Sequence, residues 1–352
     1  MISIRGVARA AVLAVLLAAG ASLVNADTHA PWPTNWNDWT TPTLWVPVGN
    51  LGNAPDDTGY GAVAYTFNMG KFEVTAGQYT AFLNAAAKTD TYGLYSTSMW
   101  SDAYGCKIQR SGTSGSYSYS VASDWANRPV NYVSWGDAAR FANWLTNGQL
   151  TGAQGLTTTE NGSYYLNGAT TNAALMAVTR KTDARYVIPT EDEWYKAAYH
   201  KNDGVTGNYF DYPTGSDTAP GQDMSEATNS GNNANFYTSP YALPIDSGTY
   251  YSTVAGEFQL SDSPYGTFDQ GGNLFEWNEA IPYAGYRGHR GGAFWTGGSH
   301  STDYLNVDDW QSAPAADGSN SWGFRVAYVP EPATLSLLAL AGLGMLARRR
   351  RK

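Results

Sequence analysis

The sequence predicts a single α+β domain with few helices, short strands and long ordered loops, and three observations carry that prediction. Only three segments show a paired helix-start signal. Asn-Gly pairs and runs rich in Gly and Ser punctuate the remainder as hairpins and loops. The chain holds 13 Trp, 25 Tyr and 38 Gly, yet only 14% of its residues are charged. Burial of aromatic rings and tight turns, rather than long amphipathic helices, must hold such a chain together.

Taken in order, residues 27–59 are rich in Trp, Pro and Asn without sustained periodicity and read as an irregular arm packed on a domain of residues 60–328. The three helix starts are Thr75 with Gln78, Ser134 with Asp137, and Thr190 with Glu193. In each, a hydroxyl is followed three positions later by a side chain that can return the hydrogen bond, which satisfies amide groups otherwise left unpaired at a helix start. Tyr79, Phe82, Leu83 and Ala86 follow the first, and Ala138, Phe141, Ala142 and Leu145 the second, both at the spacing of one buried face. Gly148 ends the second helix. Asn161-Gly162 and Asn167-Gly168 flank Ser163-Tyr164-Tyr165-Leu166 and predict a hairpin. Residues 111–120 and 204–233 read as long surface loops. Glu191, Asp192 and Glu193 occupy a helix first turn, where carboxylates favour the dipole.

The two ends are different in kind. Arg5 and Arg9, an apolar run and the small residues before Ala26 have the layout of a secretory signal peptide over residues 1–26; a buried N-terminal helix is the plain alternative. Near the C-terminus Pro330-Glu331-Pro332 precedes about 15 apolar residues and a terminal basic cluster. Fifteen helical residues span roughly 22 Å, short of the roughly 30 Å hydrocarbon core, which makes a marginal transmembrane helix. This triplet, short helix and basic cluster over residues 329–352 resemble the PEP-CTERM sorting signal. The resemblance implies recognition and cutting by an exosortase in a polymer-secreting Gram-negative bacterium, with the basic end cytoplasmic and the body facing outward. An uncut tail that anchors the body in the inner membrane is the alternative.

Removal of both ends takes seven of the 21 basic residues and leaves about 14 cations against about 30 anions. That sign disfavours nucleic acid and anionic lipid as partners. The single cysteine, Cys106, excludes an internal disulfide and reads as a small buried apolar side chain.

Six punctuating segments then carry a larger resemblance. They are Gly70-Lys71-Phe72-Glu73-Val74-Thr75, Arg128-Pro129-Val130-Asn131, Ile188-Pro189-Thr190-Glu191, Gly272-Asn273-Leu274-Phe275-Glu276-Trp277, Arg290-Gly291-Gly292 and Gly323-Phe324-Arg325. Together and in this order they resemble the formylglycine-generating enzyme, or sulfatase-modifying factor, family. The resemblance implies an elaborated C-type-lectin-like fold, low in regular secondary structure and commonly holding structural calcium. Members that oxidise a sulfatase cysteine carry two cysteines soon after Arg-Gly-Gly, which hold copper(I) and engage the substrate thiol. Thr296 and Ser301 stand at those positions. A hydroxyl neither ionises near neutral pH nor offers a soft donor, so copper and formylglycine-generating activity are not expected. The acidic segment Asp303 to Asp309 replaces the arginines that usually follow.

For calcium, the resemblance implies Asp269 and Glu276 as side-chain ligands with the Gly272 and Leu274 carbonyls between them, and a second site at Asn235, the Phe236 carbonyl, Asp246 and the Gly248 carbonyl. A loop-length difference near residues 254–258 leaves Asp246 and Gly248 open, and a turn capped by carboxylates is the plain reading of the first. Among the four histidines, His289 and His300 bracket Arg-Gly-Gly and read as surface or hydrogen-bonded side chains. The expectation is an exported, calcium-stabilised surface module that binds an extracellular polysaccharide or a partner protein, some of its Trp and Tyr stacking on sugar rings. A divergent metal-dependent oxidoreductase or oxygenase using His289, His300, Arg290 or Arg325 is the rival.

Overall fold

Helix starts are set by local chemistry, and in the computed structural model all three expected ones are reciprocal capping boxes. The structure describes residues 39, 41–224, 230–237, 250–296 and 302–330. Thr75 caps α1 (Ala76–Ala86), Ser134 caps α4 (Trp135–Thr146) and Thr190 caps α6 (Glu191–Tyr199), each returned by the side chain three residues on. Three single-turn helices, α2 (Ser98–Ser101), α3 (Ser123–Ala126) and α5 (Asn172–Met176), lie between them. Gly148, at φ 74°, follows the end of α4.

The strands form two four-stranded sheets and one hairpin. In the first sheet β1 (Trp45–Val48), β2 (Phe67–Gly70), β10 (Ala327–Tyr328) and β5 (Tyr186–Val187) lie in that order, all antiparallel. The segment expected as an irregular arm thus supplies an edge strand. Val46 and Val48 are buried while Pro47 is exposed; three alternating residues are too short a run to stand out among Trp and Pro, so pairing with β2 rather than local pattern makes the strand. The second sheet holds β8 (Gln311–Pro314), β7 (Tyr286–Arg290), β6 (Phe275–Trp277) and β9 (Trp322–Gly323). Only the β6 to β9 pairing is parallel.

The run at 111–120, expected as loop, departs from that reading. β3 (Gln109–Ser111) and β4 (Ser118–Ser120) form an antiparallel hairpin. Tyr119 is buried while its serine neighbours face out, and Arg110 lies 4.7 Å from the Tyr95 ring centre and 4.4 Å from that of Tyr117. The predicted hairpin at 161–168 is reduced to single bridges, Asn161 with Tyr165 and Tyr164 with Arg180. Only its second turn has the expected left-handed pair, Asn167 and Gly168.

Rings from α1, α4 and the chain after β9 fill the core. Phe141 meets Phe82 and Phe324 edge-on, both at 5.3 Å between centres. Cys106 is buried, as expected, and burial pushes its thiol up to about 11. No helix among the described residues is long and apolar enough to cross a membrane. The expected signal peptide and the apolar tail, with Glu331 and Pro332, lie outside the described residues, as do His29, Asp246, Gly248, His300 and Ser301.

Candidate functional site

Side chains alternate across a strand, so the register of the second sheet sorts its residues onto two faces. Trp277 pairs with His289, His289 with Gln311, and Phe275 with Trp322, which places all five on one face. Glu276 pairs with Arg290 and takes the other face.

The first face floors a cleft of about 330 Å³. Phe275, His289, Gln311, Ser312 and Trp322 come from the four strands; Trp295, Thr296 and Tyr304 form one wall, and the loop at 319–321 the other. Among the described residues its lining carries no Lys, Arg, Asp or Glu. The wall depends on two consecutive left-handed glycines at the end of β7, Gly291 at φ 100° and Gly292 at φ 72°. A Cβ on Gly291 would lie 2.5 Å from the Gln270 carbonyl oxygen, and one on Gly292 2.6 Å from Leu305 Cδ1.

His289 departs from the expected surface or hydrogen-bonded histidine. It is 4% exposed, with ring contacts to Phe275 at 4.9 Å and to Trp277 and Trp322 at 5.4 Å. Neither ring nitrogen has a hydrogen-bond partner among the described residues. Burial holds the imidazole neutral, pushed down to about 3.

The opposite face is ionic and closed. Arg325 donates from Nε to Glu276 Oε2 at 2.6 Å and from Nη2 to Oε1 at 2.5 Å, and Trp194 Nε1 donates to Oε2 at 2.7 Å. Arg290 pairs with Glu191 and donates to the Val307 carbonyl at 3.0 Å. Both arginines are buried and point away from the cleft, which removes Arg290 and Arg325 from the set offered for a divergent enzyme. Of the first-turn carboxylates, Glu193 accepts from Arg180 at 2.7 Å and Asp192 from the Gly61 amide at 2.9 Å.

Beside this ion pair lie two further carboxylates, Glu73 buried and Asp269 half-buried. Glu73 accepts from Asn273 Nδ2 at 3.0 Å and from the Leu274 amide at 3.2 Å, and Asp269 accepts from the Gly256 amide at 2.5 Å. Burial raises both, Asp269 to about 7, and the Glu73 carboxyl feels the charges of Asp269 and Glu276 as well.

The Sulfatase-modifying factor enzyme 1-like domain family matches residues 37–329, most of the chain. The chain belongs to this family. Its domain therefore reaches into the segment read from sequence as an arm, in keeping with the edge strand there. A PEP-CTERM protein-sorting motif matches residues 329–352 and marks an exported protein of the cell envelope, handled by exosortase-type sorting machinery. Among solved structures, the crystal structure of CarF is 18% identical with a TM-score of 0.49, covering 82% of this chain and 98% of CarF. Treponema denticola variable protein 1 is 18% identical with a TM-score of 0.47, covering 81% and 95%. PvdO from Pseudomonas aeruginosa is 17% identical with a TM-score of 0.41, covering 81% and 92%. No curated protein matches the chain.

Within the sulfatase-modifying factor domain, Thr296, expected from the sequence at the position of the first family cysteine, lines the cleft. Cys106 lies buried in the main aromatic core. Among the described residues the cleft lining has His289 as its one imidazole and contains no sulfur.

The calcium sites expected of the family can be tested on their donors. Asn235 donates from Nδ2 to the Tyr251 carbonyl at 2.9 Å and to Asn273 Oδ1 at 3.1 Å, while its own Oδ1 is buried with no partner among the described residues. That orphan oxygen and the raised Asp269 carboxyl suit a hard cation, which prefers oxygen donors. Glu276 fits less well, because Arg325 and Trp194 engage both its oxygens. Among the described residues no three His, Cys, Asp or Glu side chains converge as a metal cluster. The Phe236 carbonyl accepts from Gln222 Nε2 at 2.5 Å.

Proposed function

We propose that this protein is a non-catalytic surface module, exported and stabilised by calcium, that binds an extracellular polymer or partner through the cleft over the second sheet. The observation that carries the reading is the cleft lining itself. Where the oxidising members of the family engage a thiol, this chain presents Thr296 in a wall of aromatic, hydroxyl and amide groups, and its one thiol is buried elsewhere. Thiol oxidation through copper(I) needs soft sulfur donors, and hydroxyls do not substitute for them. Such a lining suits recognition: apolar faces supply contact area and a few polar groups fix orientation.

Calcium would be held by Asp269 with the Gly272 and Leu274 carbonyls, and by Asn235 with the Phe236 carbonyl, Asp246 and the Gly248 carbonyl. It would supply positive charge among buried carboxylates and tie together loops that carry little regular structure. In this reading the C-terminal tail keeps the chain at the inner membrane until the sorting machinery acts.

The test is retention of purified protein on the extracellular polymer of the organism that produces it, with calcium or with chelator. Retention that chelator weakens is expected; no retention in either condition overturns the binding role. Calcium should raise the melting temperature of the wild type, and Asp269→Ala should remove much of that rise.

A further inference from the structure

The cleft makes a narrower statement than polymer binding in general, and it rests on the reading above. Three features of its geometry bear on the chemistry of an occupant. The first is the absence of formal charge from the lining among the described residues, in a chain of net charge −9. An anionic polymer would meet the acidic field of the body with no cation in the cleft to receive it. The second is the pairing of ring faces with groups that both donate and accept. Trp295 and Trp322 are half-buried, and the polar side chains lining the cleft among the described residues carry hydroxyl, carboxamide, imidazole or indole N–H groups. The third is His289, a residue of the cleft floor whose two ring nitrogens are buried with no partner among the described residues. A buried polar atom without a partner carries an uncompensated desolvation cost, so a ligand hydroxyl that reaches either nitrogen as it fills the cleft gains what the fold forgoes.

A neutral imidazole offers one N–H donor and one lone-pair acceptor. A sugar hydroxyl likewise donates and accepts, and the C–H face of a pyranose ring is an apolar plate that packs on indole. We propose that the cleft binds an uncharged saccharide unit, with His289 exchanging hydrogen bonds with ring hydroxyls from below and Trp322 or Trp295 covering a sugar face. His289 is then a specificity-determining residue, retained although an apolar side chain would suit its aromatic surroundings better.

The experiment uses the mature protein with calcium present and follows tryptophan fluorescence and titration heat. The neutral probes are cellohexaose, maltohexaose and mannohexaose; oligogalacturonate is the anionic probe, and an uncharged Gly- and Ser-rich peptide is the protein-like one. Saturable binding of at least one neutral sugar, tighter than oligogalacturonate and peptide, is expected. His289→Phe keeps an aromatic ring, somewhat larger than imidazole, but removes both nitrogens, and should weaken that binding about tenfold or more, the size of a lost hydrogen bond. His289→Gln, which keeps a donor and an acceptor, should recover part of the loss. Near-uv circular dichroism checks that each variant keeps its packed core. No binding of any neutral probe, preference for oligogalacturonate or peptide, or a folded His289→Phe that binds unchanged would each overturn the proposal. Those results leave the surface-module reading standing if the producer's own polymer is still retained, whereas loss of that retention overturns the broader reading.

Discussion

The two faces of the second sheet follow opposite rules although they are built by the same strands. Behind the sheet, Glu276, Arg325, Arg290 and Glu191 form paired charges with almost no access to water. In front of it, two residues away along the same strand from where Arg287 is bonded to carbonyls, His289 stands neutral and unpartnered among rings. The charges on the closed face are satisfied within the protein, whereas on the cleft face the His289 nitrogens are not. The contrast sets groups that stabilise the domain against one group held at a cost.

The largest test of that contrast is Arg325→Met. It leaves Glu276 buried without its cation, and removing one partner of a buried pair costs about 3–5 kcal/mol. Urea unfolding should show this loss or an insoluble chain; a loss below about 1 kcal/mol would erase the distinction between the faces. The double variant Arg325→Met, Glu276→Leu should recover much of the loss, because no lone charge remains. Next is Gly291→Ala, which combines a left-handed backbone with a contact on the Gln270 carbonyl oxygen, and should cost about 2 kcal/mol in the same assay.

The cleft face predicts the opposite sign. His289→Phe should leave stability at neutral pH unchanged or raised by about 1 kcal/mol, since two unsatisfied nitrogens disappear. On acidification the gap widens. The folded imidazole titrates near 3 and the unfolded one near 6.5, so between those values the unfolded state binds the extra proton and the wild type loses stability as pH falls. By about pH 4.5 the variant should lead by roughly 2 kcal/mol more than at neutrality, read from parallel denaturation curves. A gap independent of pH would show that His289 is protonated or partnered in the folded protein. The smallest effect belongs to a site remote from both faces: Thr75→Ala, which removes the α1 cap, should lower stability by about 1 kcal/mol at all pH values.

How much of this could be read from the chain depends on how local each feature is. The caps at Thr75, Ser134 and Thr190 were legible because each involves residues three apart. The family was legible because its motifs are short and ordered. The strand from 45 to 48 was not, since its partner lies about twenty residues on and its own pattern covers three residues. The hairpin at 109–120 was hidden by its serines, although the alternation Ser118-Tyr119-Ser120 was the available signal. His289 was misread for the same reason: only its pairing with Trp277 and Gln311 turns it toward the cleft, and β7 offers just five residues of pattern. Nothing local marks Arg325 as the counter-ion of Glu276, 49 residues earlier.

The placement of β10 bears on export. Ala327 and Tyr328 sit between β2 and β5 in the interior of the first sheet, immediately before the sorting motif. Strands made early therefore lack a central neighbour until the last residues of the domain are delivered, and Arg325, which fastens Gly70, Phe268 and Glu276, arrives at the same moment. A chain emerging N-terminus first thus completes the first sheet only when these last residues of the domain join it.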